Sequence, residues 1–246
     1  LRGFPDYVAH LRERYSGTAS RNSQKLLCGE CATRHDFILC TIVVEKAFPQ
    51  GMTVKEVSEA TGTPEEETYF TLPNGAASIL RTISGFETYN EATDVLLALK
   101  ASTGTVGAPR AFSLKLAKIT RGPPFFLKPL SRDAEVEVSH KQGALQLAIG
   151  KHIDDIKCIG RAPHIKTIRE TLEAVFGKLK YQEKTLVNTG ISHVTQEDGS
   201  IAQHQTSYIQ GIAAMHSSNL VGRKPEEEVD DQTIRGYRSV IGAVAY

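Results

Sequence analysis

The sequence predicts an α+β fold in which helices pack on an antiparallel sheet. An apolar, β-rich run at residues 37–44 has the length of a buried strand. Between 134 and 160, apolar segments are separated by short polar turns, which indicates successive antiparallel strands. Amphipathic helical patterns at 108–120 and 164–177 lie on either side of them. Since helices and strands do not alternate and no glycine-rich phosphate loop is present, a doubly wound fold is not expected.

Composition favours a soluble intracellular protein, cytoplasmic or nuclear. The chain has 246 residues, 40% of them hydrophobic and 23% charged, and a formal net charge of +1. A nucleic-acid partner would therefore need a local patch of positive charge. No apolar run reaches the roughly 18 residues that span a bilayer, and no targeting peptide begins the chain, so we expect no membrane contact. Neither end has a clear boundary, and we expect a fragment of a longer polyprotein.

The first half of the chain is expected to contain three elements and a loop-rich stretch. A helix is predicted at 21–35, with Ser20 or Asn22 as its N-cap. The buried strand follows, and proline and glycine then break the chain. A short helix with an acidic loop is predicted within 52–67. Residues 71–94 are mixed and contain a Pro-Asn-Gly turn.

The second half contains two helices and two predicted hairpins. Pro109 suits the first turn of the first helix, and Gly177 suits the end of the second. One hairpin turns at Gly143, between the strand segments AEVEV and ALQLAIG. A single second hairpin is predicted at 185–203, with Asp-Gly at its turn. A further helix at 205–216 and an acidic linker follow.

Two adjacent carboxylates, Asp154 and Asp155, lie between apolar segments in LQLAIGKHIDDIKCIG. Like charges this close repel, and burial of either costs several kcal/mol unless a cation compensates. A divalent metal at a hairpin tip would provide that compensation. A polar turn between two strands explains the same residues, because aspartate is common in turns. The pair alone does not decide between these alternatives.

Three segments, in their order, resemble the palm of a copia-type retrotransposon reverse transcriptase. They are CTIVVEKAFPQGM, LKASTGTVGAPRAFSLKLAKI and KHIDDIKCIG. RGF near the start resembles the end of the fingers motif. The segment from FGKLKYQEKTLVNTG to QHQTSYI is similar to the primer-contacting hairpin and the entry into the thumb, and YRSVIGAVAY is similar to the start of the connection toward RNase H. The resemblance covers essentially the whole chain.

The resemblance implies a right-hand polymerase palm, an antiparallel sheet backed by helices, with partial fingers and the start of a thumb. The implied divisions are partial fingers at 1–36, a palm at 37–184 with a fingers-like insertion at about 52–100, a primer-grip-like hairpin and thumb at 185–229, and a connection at 230–246. The implied activity is RNA-directed DNA polymerisation with two Mg²⁺ ions. Its partners would be an RNA or DNA template–primer and dNTPs, with RNase H and integrase elsewhere in the polyprotein.

The resemblance also assigns residues. Asp154 would be a catalytic metal ligand and Asp155 its catalytic neighbour, and His152 stands where the family often has tyrosine. The helix that would lie under the template and incoming nucleotide supplies further candidates, which are Arg110, Phe112, Lys115 and Lys118. Without the flanking motifs, this helix would be interpreted as an amphipathic surface helix. Asn188 and Gly190 would belong to the primer-grip-like hairpin.

One departure from the family pattern concerns the first palm strand. Where the family has an aspartate ahead of a Lys-Ala-Phe-like sequence, this chain has Val43. Glu45 lies on the same strand face about 6–7 Å further along and could substitute only if the register shifted. We therefore expect strongly impaired polymerisation, through decay of a retroelement copy or, less favoured, a sequencing error. The alternatives are a catalytically inactive nucleic-acid-binding remnant and an unrelated soluble α+β domain.

The cysteines suggest a reducing compartment rather than a disulfide framework. Cys28, Cys31, His35 and Cys40 have the spacing C-x₂-C-x₃-H-x₄-C, one residue shorter than a retroelement zinc knuckle. The first two lie in an apolar helix-like run and Cys40 lies in the predicted strand. Buried core cysteines are therefore favoured over a zinc site.

Overall fold

The computed structural model describes residues 16–212 and 228–245. The chain divides into two compact units, residues 1–183 and 184–246. The expected fingers motif at 2–4 and much of the expected thumb, at 213–227, lie outside the described residues.

The first unit contains most of the regular structure. Its elements are α1 (Arg21–Ala32), β1 (Phe37–Val44), a 3₁₀ turn (Phe48–Gln50), α2 (Val54–Thr61), β2 (Tyr69–Phe70), α3 (Ala77–Leu80), β3 (Leu96–Leu97), α4 (Ala108–Arg121), β4 (Lys128–Leu130), β5 (Asp133–Lys141), β6 (Ala144–His152), β7 (Asp155–Arg161), α5 (Ala162–Phe176) and β8 (Leu179–Glu183).

A six-stranded sheet organises this unit, in the order β4-β5-β6-β7-β1-β8. Every neighbouring pair in it is antiparallel. The predicted α+β class with an antiparallel sheet is confirmed at this level. Strand β1, predicted from its apolar run, lies between β7 and β8. A strand covered on both faces needs apolar side chains on both, which explains why the run is continuous.

The hydrophobic core lies on the sheet face that packs against α4 and α5. Alternate residues of β1, β6 and β7 share one cluster with the apolar stripes of these helices. The rings of Phe112 in α4 and Phe176 in α5 meet with centroids 5.5 Å apart. The cluster includes Cys40, Ile42, Val44, Leu116, Ile149, Ile156, Cys158, Ile168 and Leu172.

Helix α1 packs on the opposite face of the sheet. Gly150 alternates with the core residue Ile149, and a Cβ atom at Gly150 would lie 2.8 Å from the Leu27 side chain of α1. Glycine at this position therefore allows α1 to approach the sheet closely. Ser20 caps the helix by accepting a hydrogen bond from the Ser23 amide, as one of the two predicted caps.

The second unit contains β9 (Thr185–Asn188), β10 (Ile191–Thr195), β11 (Ile201–His204), α6 (Thr206–Gln210) and α7 (Asp231–Ala245). The first three form a sheet in the order β11-β10-β9. The hairpin predicted with Asp198-Gly199 at its turn is formed by β10 and β11, and β9 adds an unpredicted second hairpin within 185–203. A second turn at Thr189-Gly190, with φ of 51° and 76°, divides the region further. Threonine is not a typical residue for such a turn, which is why the pattern did not indicate it.

Other boundaries also differ from the expected ones. The helix expected at 21–35 ends at Ala32, and the one expected at 205–216 ends at Gln210 within the described residues. Strand β8 was not predicted, because LKYQE is mostly polar and its side chains are exposed or half-buried. Within residues 16–212 and 228–245, no helix is both long and apolar enough to cross a membrane.

Candidate functional site

The aspartate pair lies at the tip of the β6–β7 hairpin. His152 and Asp155 are the last paired residues, and Ile153 and Asp154 form the turn between them. Ile153 has a φ of 56°. A β-branched residue rarely adopts this left-handed conformation, which costs about 1–3 kcal/mol. Strain of this kind accumulates at functional sites more often than elsewhere, and here it lies in the turn residue directly before the two carboxylates.

Strand β1 lies directly beside this hairpin tip. Val43 is the register partner of Asp155, and the Val44 amide donates a 3.1 Å hydrogen bond to the Asp154 carbonyl. Directly opposed residues share a face, so Val43 and Asp155 lie together on the face that carries α1. The structure therefore brings position 43 and the two aspartates to one end of the sheet. Both residues are half-buried.

Thr41 holds the Asp155 carboxylate. Its hydroxyl donates to Asp155 Oδ1 over 2.5 Å. This length is typical of a strong hydrogen bond to an ionised acceptor. Thr41 was not among the sequence-based candidates, although strand alternation places it on the same face as Val43. One oxygen of the aspartate opposite Val43 is thus already engaged within the protein.

Lys157 lies on the same sheet face as Val43 and Asp155, farther from the hairpin tip. It pairs in register with Thr41 on one side and with Gly150 on the other, and only 1% of its surface is exposed. Burial lowers the pKa of Lys157, and Cys28 and Asp155 oppose that decrease. The structure therefore supplies a cation two residues from Asp155, where the apolar pattern of the strand gave no reason to expect a functional lysine.

Glu45 does not substitute for a carboxylate at position 43. It lies just beyond β1, and its Oε1 is 3.3 Å from Lys180 Nζ in β8. Strand β8 is on the other side of β1 from β7. Since β1 and β7 pair without a shift from Phe37 to Val43, the register change that Glu45 would require is absent from this pair.

The four candidates in α4 have different environments. Phe112 is fully buried in the core, on the face opposite the aspartates, and is not accessible to a ligand there. Lys115 donates to the Gln50 carbonyl over 2.8 Å and lies 5.3 Å from the Phe176 ring centroid, so it joins α4 to the turn after β1. Lys118 is exposed, and Arg110 is half-buried in the first part of the helix.

Asn188 and Gly190 belong to the second unit. Gly190 provides a positive φ at the β9–β10 turn. Asn188 is fully buried, and neither polar atom of its side-chain amide has a hydrogen-bond partner in the part of the chain that the structure describes. Unsatisfied buried amides are uncommon in proteins, so this side chain is the notable polar feature of the hairpin.

All four cysteines are buried, and none of them forms a disulfide. Cys40 and Cys158 are register partners in the core, whereas Cys28 and Cys31 lie on α1. The favoured interpretation as core cysteines agrees with these positions. Burial, reinforced by Cys28 and Cys40, raises the pKa of Cys31 to about 12, which keeps the thiol protonated near neutral pH.

The described residues do not form a complete two-metal site. Across 16–212 and 228–245, no group of three or more aspartate, glutamate, histidine or cysteine side chains could hold a metal ion. Val43 offers only methyl groups at the position where a third carboxylate would complete the set of metal ligands. The donor set present therefore does not fit two Mg²⁺ ions.

No protein-family model, curated protein or solved structure matches the chain significantly.

Proposed function

We propose that the chain is a polymerase module of the reverse-transcriptase type, similar to those of copia-type retroelements. It binds an RNA or DNA template–primer and transfers nucleotides poorly. The rest of the polyprotein, with RNase H and integrase, lies outside this chain.

One observation carries the proposal, namely the register that sets Val43 opposite Asp155. The resemblance requires position 43 and the aspartate pair to meet, although they lie far apart in the sequence. An unrelated α+β domain would have no reason to combine this register with two carboxylates at a hairpin tip. The strained φ of Ile153, the turn residue directly before Asp154, supports the same interpretation.

The same position also limits the activity. Nucleotidyl transfer by two metals depends on carboxylates that hold both ions against the substrate phosphates. Val43 contributes no oxygen, and Asp155 accepts a hydrogen bond from Thr41. Because the donor set is incomplete, no metal-dependent step follows from the residues that this chain provides.

The second candidate function is template–primer binding without turnover. It is favoured by Val43 and by the internal cation Lys157, which offsets part of the Asp155 charge without a metal. Exposed Lys118 remains available for phosphate contacts in this case.

Primer extension distinguishes the two candidates. An RNA template with a labelled DNA primer, dNTPs and Mg²⁺ would be incubated with the wild type, Val43→Asp, Val43→Asn and the double variant Val43→Asp/Asp154→Ala. Binding would be measured in parallel by fluorescence anisotropy. We expect all four proteins to bind and Val43→Asp alone to gain extension, by about 10³-fold if the third ligand restores several kcal/mol of transition-state stabilisation.

Each outcome has a distinct meaning. Wild-type extension that is lost in the double variant Val43→Asp/Asp154→Ala would exclude the non-catalytic candidate. Binding by the wild type without extension, restored by Val43→Asp, would favour it. Failure of all four folded proteins to bind template–primer would contradict both functions and leave an unrelated α+β domain.

A further inference from the structure

A cavity of about 340 Å³ lies in the first unit, between α2, the start of α4 and residues 98–107. Its volume falls within the range of small-molecule sites. The lining is mostly apolar and includes Met52, Val54, Val57, Pro64, Ala98 and Ala111. None of the residues assigned to the aspartate hairpin lines it.

Backbone hydrogen bonds hold the cavity walls together. They join four separate segments of the chain, through Met52 N to Ala111 O at 3.1 Å, Val54 N to Leu99 O at 3.1 Å, and Ala98 N to Thr68 O at 2.8 Å. These bonds fix the spacing between walls independently of any ligand. The cavity is therefore preformed, which lowers the cost of ordering on binding.

Two local features position α2 over the cavity. Thr53 and Glu56 form a reciprocal capping box that fixes the start of the helix. Just before it, a Cβ atom at Gly51 would lie 3.0 Å from the Ala111 backbone. Glycine thus allows this segment to lie against α4, with Met52 and Val54 on the cavity wall.

The charges at the cavity are mainly positive. Lys100 and Arg110 line it together with one acidic residue, Glu66. Burial lowers the pKa of Lys115 in the adjacent α4, and the nearby Lys100 ammonium lowers it further. The Glu56 carboxylate, which interacts with both lysines, offsets part of this repulsion. An anion beside Lys100 would reduce it further.

We propose that this cavity binds a small amphipathic monoanion, with its apolar body between Val54, Val57 and Ala98 and its acidic group at Lys100. The lining provides apolar walls with a few polar groups that orient a ligand, as small-molecule sites do. The site is separate from the aspartate hairpin and does not depend on the function proposed for it.

The test compares two probes of the same shape, 1-naphthoate and the neutral 1-naphthamide. Their binding to the full chain would be measured by isothermal titration calorimetry. We expect the anion to bind about tenfold more tightly, as a charge-assisted hydrogen bond would produce. Lys100→Gln should remove this difference and leave the amide affinity unchanged. Lys55→Gln is the matched control, because Lys55 is exposed on α2 and does not line the cavity.

Filled variants establish where the probes bind. Val57→Phe and Ala98→Phe each place an aromatic ring in the cavity, and each should abolish binding of both probes while circular dichroism stays that of the wild type. Two variants are used so that one folded protein remains if the other does not fold. Absence of binding at millimolar probe, equal affinity for anion and amide, or binding that survives both Lys100→Gln and cavity filling would each overturn the proposal.

Discussion

Val43 and Asp155 face each other in direct register across the antiparallel pair of β1 and β7. Cβ atoms of opposed residues in such a pair lie about 4.5–5.5 Å apart. A carboxylate at position 43 would therefore be close enough to share a cation with Asp155. We therefore expect that metal binding at this end of the sheet would require a carboxylate at position 43.

The variant Val43→Asp should make stability depend on divalent cations. Without them, it should lower the free energy of unfolding by about 1–2 kcal/mol, because like charges become opposed across the strands. Mg²⁺ should recover this loss, since a ligand that binds only the folded state stabilises it. Urea unfolding with EDTA and with Mg²⁺ measures both effects.

Val43→Asn separates charge from size in this experiment. It should lose stability through the buried polar group but show no response to Mg²⁺, and the wild type should show none either. Equal curves for Val43→Asp with EDTA and with Mg²⁺ would contradict the expected metal site.

Thr41→Val should destabilise the hairpin tip through Asp155. The substitution keeps the shape of the side chain but removes the donor of the 2.5 Å hydrogen bond. We expect a loss of about 1–2 kcal/mol in the free energy of unfolding at neutral pH, with Thr41→Ser close to the wild type. If Thr41→Val unfolds at the same urea concentration as Thr41→Ser, the bond contributes nothing to stability.

Strand β1 and the β5–β6–β7 meander could be predicted from the sequence because neighbouring residues specify these strands and turns. Apolar runs define the strands, and Gln142-Gly143, both with positive φ, forms the turn predicted at Gly143. The contact between position 43 and the aspartates followed from the family resemblance. Periodicity alone does not specify which strands become neighbours.

Other features depend on tertiary structure and had no local pattern. The φ of Ile153 is imposed by the hairpin, since isoleucine has no preference for that conformation. Strand β8 is mostly polar and forms because β1 offers it a free edge. The cavity beside α2 arises where segments distant in sequence meet, so no motif indicates it.

Lys151 should contribute strongly to stability, because it is the buried cation of a network that also contains the half-exposed Arg121. Its Nζ lies 2.9 Å from Glu137 Oε1 and 3.3 Å from Glu135 Oε2, and its side chain is only 3% exposed. Lys151→Met would remove the cation beside Glu135 and one of the two beside Glu137, where Arg121 Nε remains 2.7 Å from Oε1. We therefore expect a loss of about 3 kcal/mol in the free energy of unfolding, measured with urea. The double variant Lys151→Met/Glu135→Gln should recover part of that loss.

The exposed pair Lys180–Glu45 provides the comparison for this network. Lys180 is 68% exposed in its side chain, so Lys180→Met should change the free energy of unfolding by no more than about 0.5 kcal/mol. Similar losses for Lys151→Met and Lys180→Met would show that the buried network has no special role.

Cys31 should make stability decrease at alkaline pH. Burial, together with Cys28 and Cys40, raises the pKa of its thiol from 9.0 to about 12 in the folded chain. The thiol therefore stays protonated in the fold at pH values where the unfolded chain loses the proton, and rising pH above 9 favours unfolding.

Relative to Cys31→Ala, the wild type should be more stable at pH 8, and this advantage should shrink by about 1 kcal/mol over the first pH unit above 9. Urea unfolding of both proteins at pH 8, 9 and 10 measures the difference between their free energies of unfolding. Groups that titrate equally in the two proteins do not contribute to this difference. A difference that does not change with pH would mean that Cys31 is not held protonated by the fold.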